Sequence, residues 1–294
     1  MQETIMLIEA SNSKNTWNAY ENAVRTFQNF RRQYCLELIW PPPSDHLVNF
    51  LAFLSSELYS PFTAKSYMSA ISFVLKLNNQ LDTTKSFLIQ KMLKGMSKVH
   101  YRPDLRLPIT IDMMLRFPHA LARICNSTYE TSLFVAAFSL AFGALLRVSE
   151  ITASDEQNAL QIIQKSDVSF NNNCMYICIK FSKTDQLGRS TISQIESNTL
   201  PLCPVKAVLE YLKVRSTLNG PLFCHMNGKY ITRNQFLSVL RSALQFLGYD
   251  TYRFNTHSFR IGGATFLASQ GKSEEFIKLK GRWQSNAFQR YIRH

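Results

Sequence analysis

Four side chains in the C-terminal part of the 294-residue sequence have the chemistry to act together on a phosphodiester. His257 and Arg260 lie three residues apart, and both side chains bind phosphate oxygens. Trp283 carries an indole N–H donor, and the hydroxyl of Tyr291, eight residues later, is a possible nucleophile. These residues predict one half of a site that breaks and rejoins DNA through a phosphotyrosine, so the other half must lie upstream.

Each of these residues also has an ordinary structural interpretation. His257 could cap a helix, and Trp283 could belong to a hydrophobic core. Tyr291 could pack against Phe288 on its own helix, which we expect Ser285 to cap. It is the joint occurrence of these residues with an upstream arginine that favours the chemical interpretation.

The upstream arginine, Arg147, follows the most apolar stretch of the chain, residues 132–146. This stretch is apolar on all sides, which predicts a buried helix, starting near residue 129 and ending at about 147, in the centre of a domain. A buried guanidinium needs an anionic partner because an unpaired buried charge is costly. That partner is either Glu150, in a structural salt bridge, or a phosphate, with Glu150 holding the geometry of Arg147.

A β-rich region follows and contains one more candidate, Lys183. Alternating and β-branched residues predict antiparallel strands at 168–170, 175–181 and 190–195, with a further short strand and turn at 222–229. Lys183 would then lie at the base of a polar hairpin. A lysine there can give a proton to a leaving oxygen, although an ordinary surface lysine is the alternative.

Five short segments, in this order, resemble the tyrosine recombinases (phage-type integrases). They are LRVSE at 146–150, SKT at 182–184, HSFR at 257–260, GRW at 281–283 and YIR at 291–293. The last block looks most like the enzymes of DIRS-, Ngaro- and Crypton-type mobile elements. The motifs cover the chain from about residue 144 onward, and the helical N-terminal half is similar to the core-binding domain of the family in layout.

The resemblance implies a role for each matching residue in binding the scissile phosphate. Arg147 and Arg260 would bind its non-bridging oxygens. His257 would hydrogen-bond the same phosphate and assist proton transfer, supported by the indole N–H of Trp283. Trp283 precedes the tyrosine by one residue fewer than is common in the family, so Arg282 is an alternative to it.

The resemblance also implies the chemical step. Tyr291 would attack phosphorus and carry the DNA as a 3′-phosphotyrosine, while Lys183 protonates the leaving 5′-oxygen. Cationic neighbours are needed because a free tyrosine, with a pKa near 10, is a poor nucleophile at neutral pH. The bond energy is kept in the covalent intermediate, so no ATP, metal or other cofactor is implied.

Double-stranded DNA is the partner that the resemblance implies, with self-association into a tetramer on synapsed duplexes. Family members commonly exchange a further C-terminal helix between subunits, whereas this sequence stops three residues after Tyr291, which puts that assembly in doubt. The expected function is integration or excision of a mobile element. The alternatives are a domesticated recombinase that binds DNA without turnover and a type IB topoisomerase-like nickase.

In the N-terminal half, apolar residues at helical spacing predict a compact four-helix bundle. The predicted helices are 16–34, 44–58, with Ser44 as N-cap, 61–77 and 84–96. Basic residues on their polar faces and just beyond are candidate contacts to DNA phosphates, with a solvated surface as the alternative. These residues are Lys65, Lys91, Lys94, Lys98 and Arg102.

The fold class that follows is mainly α with a small antiparallel β-sheet. Pro103, Pro108 and mixed charge without helical period predict an extended linker over residues 99–109. The predicted domains are therefore a helical core-binding domain at 1–98 and an α+β catalytic domain at 110–294.

Composition supports a polyanionic partner. The net charge is +13 and the pI is near 9.5, which favours nucleic acid. The six cysteines include no CxxC pair, so we expect reduced thiols and no metal site. We see neither a signal peptide nor a membrane span and expect an intracellular protein, nuclear if the host is eukaryotic.

Overall fold

A computed structural model of the chain describes residues 2–181, 190–197, 203–215 and 219–293. The chain divides into two compact units, and the boundary lies between Asp104 and Leu105. This boundary falls inside the stretch 99–109, which has no helix or strand from Tyr101 to Thr110. None of the described helices is long and apolar enough to cross a membrane.

The first unit is helical. Its α-helices are α1 (Gln2–Ala10), α2 (Lys14–Gln33), α3 (Ser44–Ser56), α4 (Pro61–Leu77) and α5 (Phe87–Val99). The sequence pattern missed α1 because this helix buries no residue and so has no core-facing stripe. The prediction that Ser44 caps α3 is wrong, since Ser44 is the first helical residue and Pro43 precedes it as N-cap.

The core of the first unit is rich in aromatic rings that pack against one another. Phe50 lies at its centre, with ring centroids 5.0 Å from Phe27 and 5.2 Å from Phe30. Next to them, the buried guanidinium of Arg31 donates hydrogen bonds to the carbonyls of Glu37 and Ile39. These hydrogen bonds hold the loop after α2 against the core and satisfy its backbone carbonyls.

The second unit contains more helices and the sheet. Its α-helices are α6 (Ile111–Ile124), α7 (Thr128–Gly143), α8 (Glu156–Ala159), α9 (Pro204–Val214), α10 (Arg233–Phe246), α11 (Ser258–Ser269) and α12 (Glu274–Lys280). Its strands are β1 (Val168–Asn171), β2 (Cys174–Ile179) and β3 (Thr191–Glu196). Short 3₁₀ segments occur at Val148–Glu150, Lys165–Asp167 and Asn286–Tyr291. The predicted fold class, mainly α with a small antiparallel sheet, is confirmed.

The sheet has the strand order β1-β2-β3 and is antiparallel throughout. Asn172 and Asn173, with φ of 46° and 61°, form the tight turn between β1 and β2, a conformation that asparagine tolerates. The strand predicted at 222–229 is wrong. Only an isolated bridge between Cys224 and Tyr230 is present there. The carbonyl of Cys224 accepts a hydrogen bond from the Tyr129 hydroxyl at 2.7 Å instead of one from a partner strand.

Helix α7 lies in the core of the second unit, as its apolar sequence predicts. The helix ends at Gly143, four residues earlier than predicted, because the chain turns through the left-handed conformation at Leu145 (φ 49°). Arg147 therefore stands on a separate turn and not on α7 itself. Its side chain is mostly buried and pairs with Glu150.

Helix α11 packs very closely against its neighbours, and two glycines allow it. A Cβ on Gly262 would lie 1.9 Å from the carbonyl oxygen of Ile109, and one on Gly263 would lie 2.4 Å from that of Phe142. Real Cβ atoms do not approach so closely, so any side chain would push the helix outward. Glycine is therefore required at both positions for this packing.

Candidate active site

The guanidinium of Arg260 is the best-buried cation of the site. It is 1% exposed and donates hydrogen bonds to the carbonyls of Leu145 and Gly281, the latter at 3.0 Å. Its Cζ lies 4.4 Å from the ring centroid of Trp283 and 5.6 Å from that of Tyr291. Arg260 thus joins the turn after α7, the turn after α12 and two aromatic side chains.

Glu150 links two further arginines. Its Oε1 lies 3.1 Å from Nη1 of Arg147, and its Oε2 lies 2.8 Å from Nη2 of Arg282. Oε2 also accepts the main-chain N–H of Arg147 at 2.8 Å, which fixes the turn from which that side chain projects. The structural salt bridge considered from sequence is therefore present, and Glu150 additionally orients Arg147.

Positive charge exceeds negative charge at this point of the structure. Three guanidiniums, those of Arg147, Arg260 and Arg282, surround the one carboxylate of Glu150. Burial, with smaller contributions from Arg147 and Arg282, lowers the pKa of Arg260 to about 9. Such a shift shows that the cationic form lacks sufficient compensation, which an anion would supply.

His257 stands at the N-cap of α11, one turn before Arg260, and its main-chain N–H donates to Asn255 at 2.8 Å. Burial, followed by the charges of Arg106, Arg260 and others, lowers the pKa of the ring to about 4. The imidazole is therefore neutral at pH 7. Its Nδ1 is buried and has no hydrogen-bond partner among the described residues.

Tyr291 ends the 3₁₀ segment that begins at Asn286. Its ring centroid lies 5.1 Å from that of Trp283 and 6.3 Å from that of His257. The same segment buries Phe288 in a small cluster with Ala264, separate from the main core. The structural interpretation of Tyr291 as a packing residue is thus partly correct, yet the ring also lies beside a histidine and an arginine.

The last helix was predicted with Ser285 as its cap, and both the helix and the cap are present. Ser285 accepts the N–H of Ala287 at 3.4 Å, and the segment that follows is a 3₁₀ helix. A 3₁₀ helix rises about 2.0 Å per residue, against about 1.5 Å in an α-helix. Six residues of 3₁₀ helix therefore span about 3 Å more than six residues of α-helix.

The turn after α12 sends its two competing side chains in different directions. Arg282 adopts the left-handed conformation (φ 55°) and points to Glu150, whereas Trp283 contacts Arg260 and Tyr291. A Cβ on Gly281 would lie 1.7 Å from the Trp283 ring, so glycine is required for this arrangement. Of the two alternatives, Trp283 is the one beside the tyrosine.

Solved structures with a similar fold exist, although no model of a protein family and no curated protein matches the sequence. The XerH site-specific recombinase bound to its difH substrate has a TM-score of 0.65 and 16% identity, over 94% of this chain and 75% of that one. The integrase of the Tn1549 transposon, in complex with circular intermediate DNA, has a TM-score of 0.65 and 14% identity, over 99% and 94%. A lambda integrase dimer on a COC′ core site has a TM-score of 0.65 and 13% identity, over 99% and 75%.

The chain has the tyrosine recombinase fold. This confirms the architecture that the resemblance implied, and at such low identity the likeness concerns the fold. Within the recombinase fold, four of the motif segments recognised in the sequence come together. Arg147, His257, Arg260, Trp283 and Tyr291 all belong to one site, with Arg282 bound behind it to Glu150.

Lys183, the remaining candidate, lies outside the described residues. The flanking strands β2 and β3 are described. Lys280, the last residue of α12, connects this helix with the sheet, because its ammonium donates to the carbonyl of Gln194 on β3 at 2.6 Å. Sequence reasoning missed Lys280, as it missed Arg106 and Arg233, whose charges act on His257. Lys280 directly precedes the GRW segment, whereas no spacing in the sequence connects Arg106 and Arg233 with the motifs.

The basic candidates of the first unit are all exposed. Lys91, Lys94 and Lys98 lie on one face of α5, at helical spacing, and the Lys91 ammonium is 5.0 Å from the centroid of the exposed Phe87 ring. Lys65 is exposed on α4, and Arg102 donates to the carbonyl of Leu58 at 3.1 Å. Exposure is compatible with both phosphate contacts and a solvated surface, so their role stays a prediction.

Proposed function

We propose that the chain is a site-specific DNA recombinase that cleaves and rejoins strands through a 3′-phosphotyrosine. The observation that carries the proposal is the position of Tyr291 beside the neutral imidazole of His257 and the buried guanidinium of Arg260. Arg147 supplies a second cation to this site. A tyrosine, a base and an excess of buried cations are what attack on a phosphodiester requires.

The arginines bind the phosphate in this mechanism. Arg147 and Arg260 hold the non-bridging oxygens and stabilise the charge that develops in the transition state. Glu150 fixes Arg147 through both its backbone and its side chain, so little reorganisation is needed when DNA binds. Trp283 supports the arrangement by packing against Arg260 and Tyr291.

Proton transfer then balances the step. The Tyr291 oxygen forms a bond to phosphorus, and the neutral His257 takes the proton of the hydroxyl. The bond from phosphorus to the 5′-oxygen breaks, and Lys183 gives that oxygen a proton. A 5′-hydroxyl from a partner strand reverses the sequence, and the phosphotyrosine conserves the bond energy, so the proposal needs neither ATP nor a metal cofactor.

Double-stranded DNA is the proposed substrate, and the proposed setting is integration or excision of a mobile element, of the DIRS, Ngaro or Crypton type. The net charge of +13 and the structural relatives solved on DNA support the substrate. Self-association on synapsed duplexes and an intracellular, nuclear location in a eukaryotic host belong to the same proposal. Exposed apolar residues on α1, among them Ile5 and Leu7, are compatible with a subunit contact.

The test is covalent capture on DNA. A nicked duplex library with a randomised core, labelled on the strand expected to become attached, is incubated with the protein and resolved on a denaturing gel. We expect a protease-sensitive adduct that disappears in Tyr291→Phe and persists in Tyr252→Phe, a change at an exposed tyrosine outside the site.

Three other results would reject parts of the proposal. An adduct that persists in Tyr291→Phe would remove the nucleophile assignment. DNA binding without any adduct would leave the domesticated DNA-binding protein. Relaxation of supercoiled plasmid, with an adduct but without recombinant products, would identify a topoisomerase-like nickase.

A further inference from the structure

The hydroxyl of Thr265 makes two hydrogen bonds to the backbone around Tyr291. It donates to the carbonyl of Tyr291 at 3.3 Å and accepts the N–H of Arg293 at 3.0 Å. Both bonds hold the backbone at the C-terminal side of the tyrosine. Because the carbonyls at a helix end lack partners within the helix, the bond from Thr265 supplies one that the 3₁₀ segment itself cannot.

Thr265 lies on the same helix as the phosphate-binding candidates. It follows Arg260 by five residues on α11, and His257 is the N-cap of that helix. Gly262 and Gly263 hold α11 within van der Waals distance of the backbone of Ile109 and Phe142, so the helix has little freedom to move. One rigid element therefore carries Arg260, His257 and the bonds that fix Tyr291.

The rest of the contacts around the tyrosine are less restrictive. The segment packs through Phe288 and Ile292 on a small cluster with Ala264 and Ile277, apart from the main core. Hydrophobic packing is non-directional and tolerates small shifts along the segment. Two hydrogen bonds to one hydroxyl are directional, and they fix the position of the Tyr291 backbone along α11.

We infer that Thr265 is a positioning residue for the nucleophile. Its hydroxyl sets the distance between the Tyr291 oxygen and a phosphate held by Arg260. Thr265 acts through the backbone at Tyr291 and Arg293 in this inference. The inference rests on the proposed function, because it assigns Thr265 to the same covalent step.

A shift of the nucleophile by about 1 Å can slow a reaction by about 100-fold. Thr265→Val keeps the shape of the side chain but removes both hydrogen bonds, whereas Thr265→Ser keeps the hydroxyl. Thr131→Val is the matched control, because Thr131 is also a half-buried helical threonine with a backbone hydrogen bond, from its hydroxyl to Ser127. It lies on α7, away from the tyrosine segment.

The measurement is the first-order rate of adduct formation at saturating DNA, together with the dissociation constant for DNA and the thermal midpoint. We expect Thr265→Val to form the adduct about 10- to 100-fold more slowly with an unchanged dissociation constant. Thr265→Ser should recover most of the rate, and Thr131→Val should match the wild type.

The outcomes separate this inference from the proposed function. A wild-type rate in Thr265→Val overturns the positioning role while the proposed function stands. The same holds if Thr265→Ser loses as much rate as Thr265→Val, since the hydroxyl would then be unimportant. If the wild type forms no adduct, the proposed function fails and the inference fails with it.

Discussion

Glu150 and Arg282 form a buried ion pair at 2.8 Å although 131 residues separate them in the sequence. The same carboxylate binds Arg147 at 3.1 Å, so one acid connects the turn after α7 with the turn after α12. These two turns also provide the carbonyls that receive Arg260. The pair therefore connects the two turns that hold Arg147, Arg260 and Arg282 together.

Removal of the carboxylate should destabilise the protein strongly. We expect Glu150→Gln to lower the free energy of unfolding by about 3–5 kcal/mol, because it leaves Arg147 and Arg282 without their acid. Urea denaturation measures the change. Glu210→Gln, which breaks the exposed pair with Lys213 at 2.6 Å, should change the stability by less than about 1 kcal/mol. Equal effects of the two changes would contradict the central role of Glu150.

Lysine should not replace arginine at position 260. An ammonium cannot hold two carbonyls and a phosphate in the planar geometry of a guanidinium, so we expect Arg260→Lys to slow adduct formation by about 100- to 1,000-fold. DNA affinity, measured by fluorescence anisotropy, should change little because other phosphate contacts remain. Arg241→Lys, at an exposed arginine on α10, is the control and should keep the wild-type rate. A fully active Arg260→Lys would exclude the proposed binding of the phosphate by the Arg260 guanidinium.

A methyl group at position 281 should displace Trp283. The Cβ of Gly281→Ala would lie 1.7 Å from the indole ring, so we expect the ring to leave Arg260 and adduct formation to slow by about 10- to 100-fold. Gly95→Ala is the control, because nothing lies within 4 Å of its added Cβ. In the middle of α5 it should stabilise the protein by about 0.5–1 kcal/mol in urea denaturation. An unaffected adduct rate in Gly281→Ala would contradict the role of Trp283.

The low pKa of His257 predicts how stability depends on pH. The unfolded chain binds a proton at this ring near pH 6.5, whereas the folded protein binds it only near pH 4. Stability from the neutral ring is therefore complete above pH 6.5 and is lost as the pH falls from 6.5 towards 4. We expect His257→Gln to lose less free energy of unfolding between pH 7 and pH 5 than the wild type does.

Denaturation in urea at the two pH values checks this expectation. His119→Gln, at an exposed histidine, should follow the wild-type dependence. If His257→Gln lost as much stability as the wild type over this interval, the pKa of the ring would be the same in the folded and the unfolded chain. The lowered pKa of His257 would then be rejected.

Local patterns predicted much of the fold. The all-round apolar sequence of α7 predicted its burial, and the alternation in β2 and β3 predicted the sheet, because burial on one face or on every face leaves a direct trace in residue order. The helix α1 left no such trace, since none of its residues is buried. The early end of α7 depends on the left-handed backbone conformation of Leu145. Leucine rarely adopts this conformation, so the sequence did not predict it.

The site was predictable as far as its motifs extend. His257, Arg260, Trp283 and Tyr291 were identified from type and spacing, and the structure brings them together. The choice between Arg282 and Trp283 required the conformation of one turn, which spacing does not encode. Thr265 was missed because its two hydrogen bonds form only after the chain has folded back on α11.

The separate small cluster beneath Phe288 has a consequence for turnover. The free energy needed to open a segment outside the main core is lower than the free energy needed to unfold a whole domain. The segment that carries Tyr291 can therefore open while Arg260 stays anchored in the turns that receive it. In the proposed recombination reaction, this division would let the tyrosine move with an attached strand while the arginine stays in place.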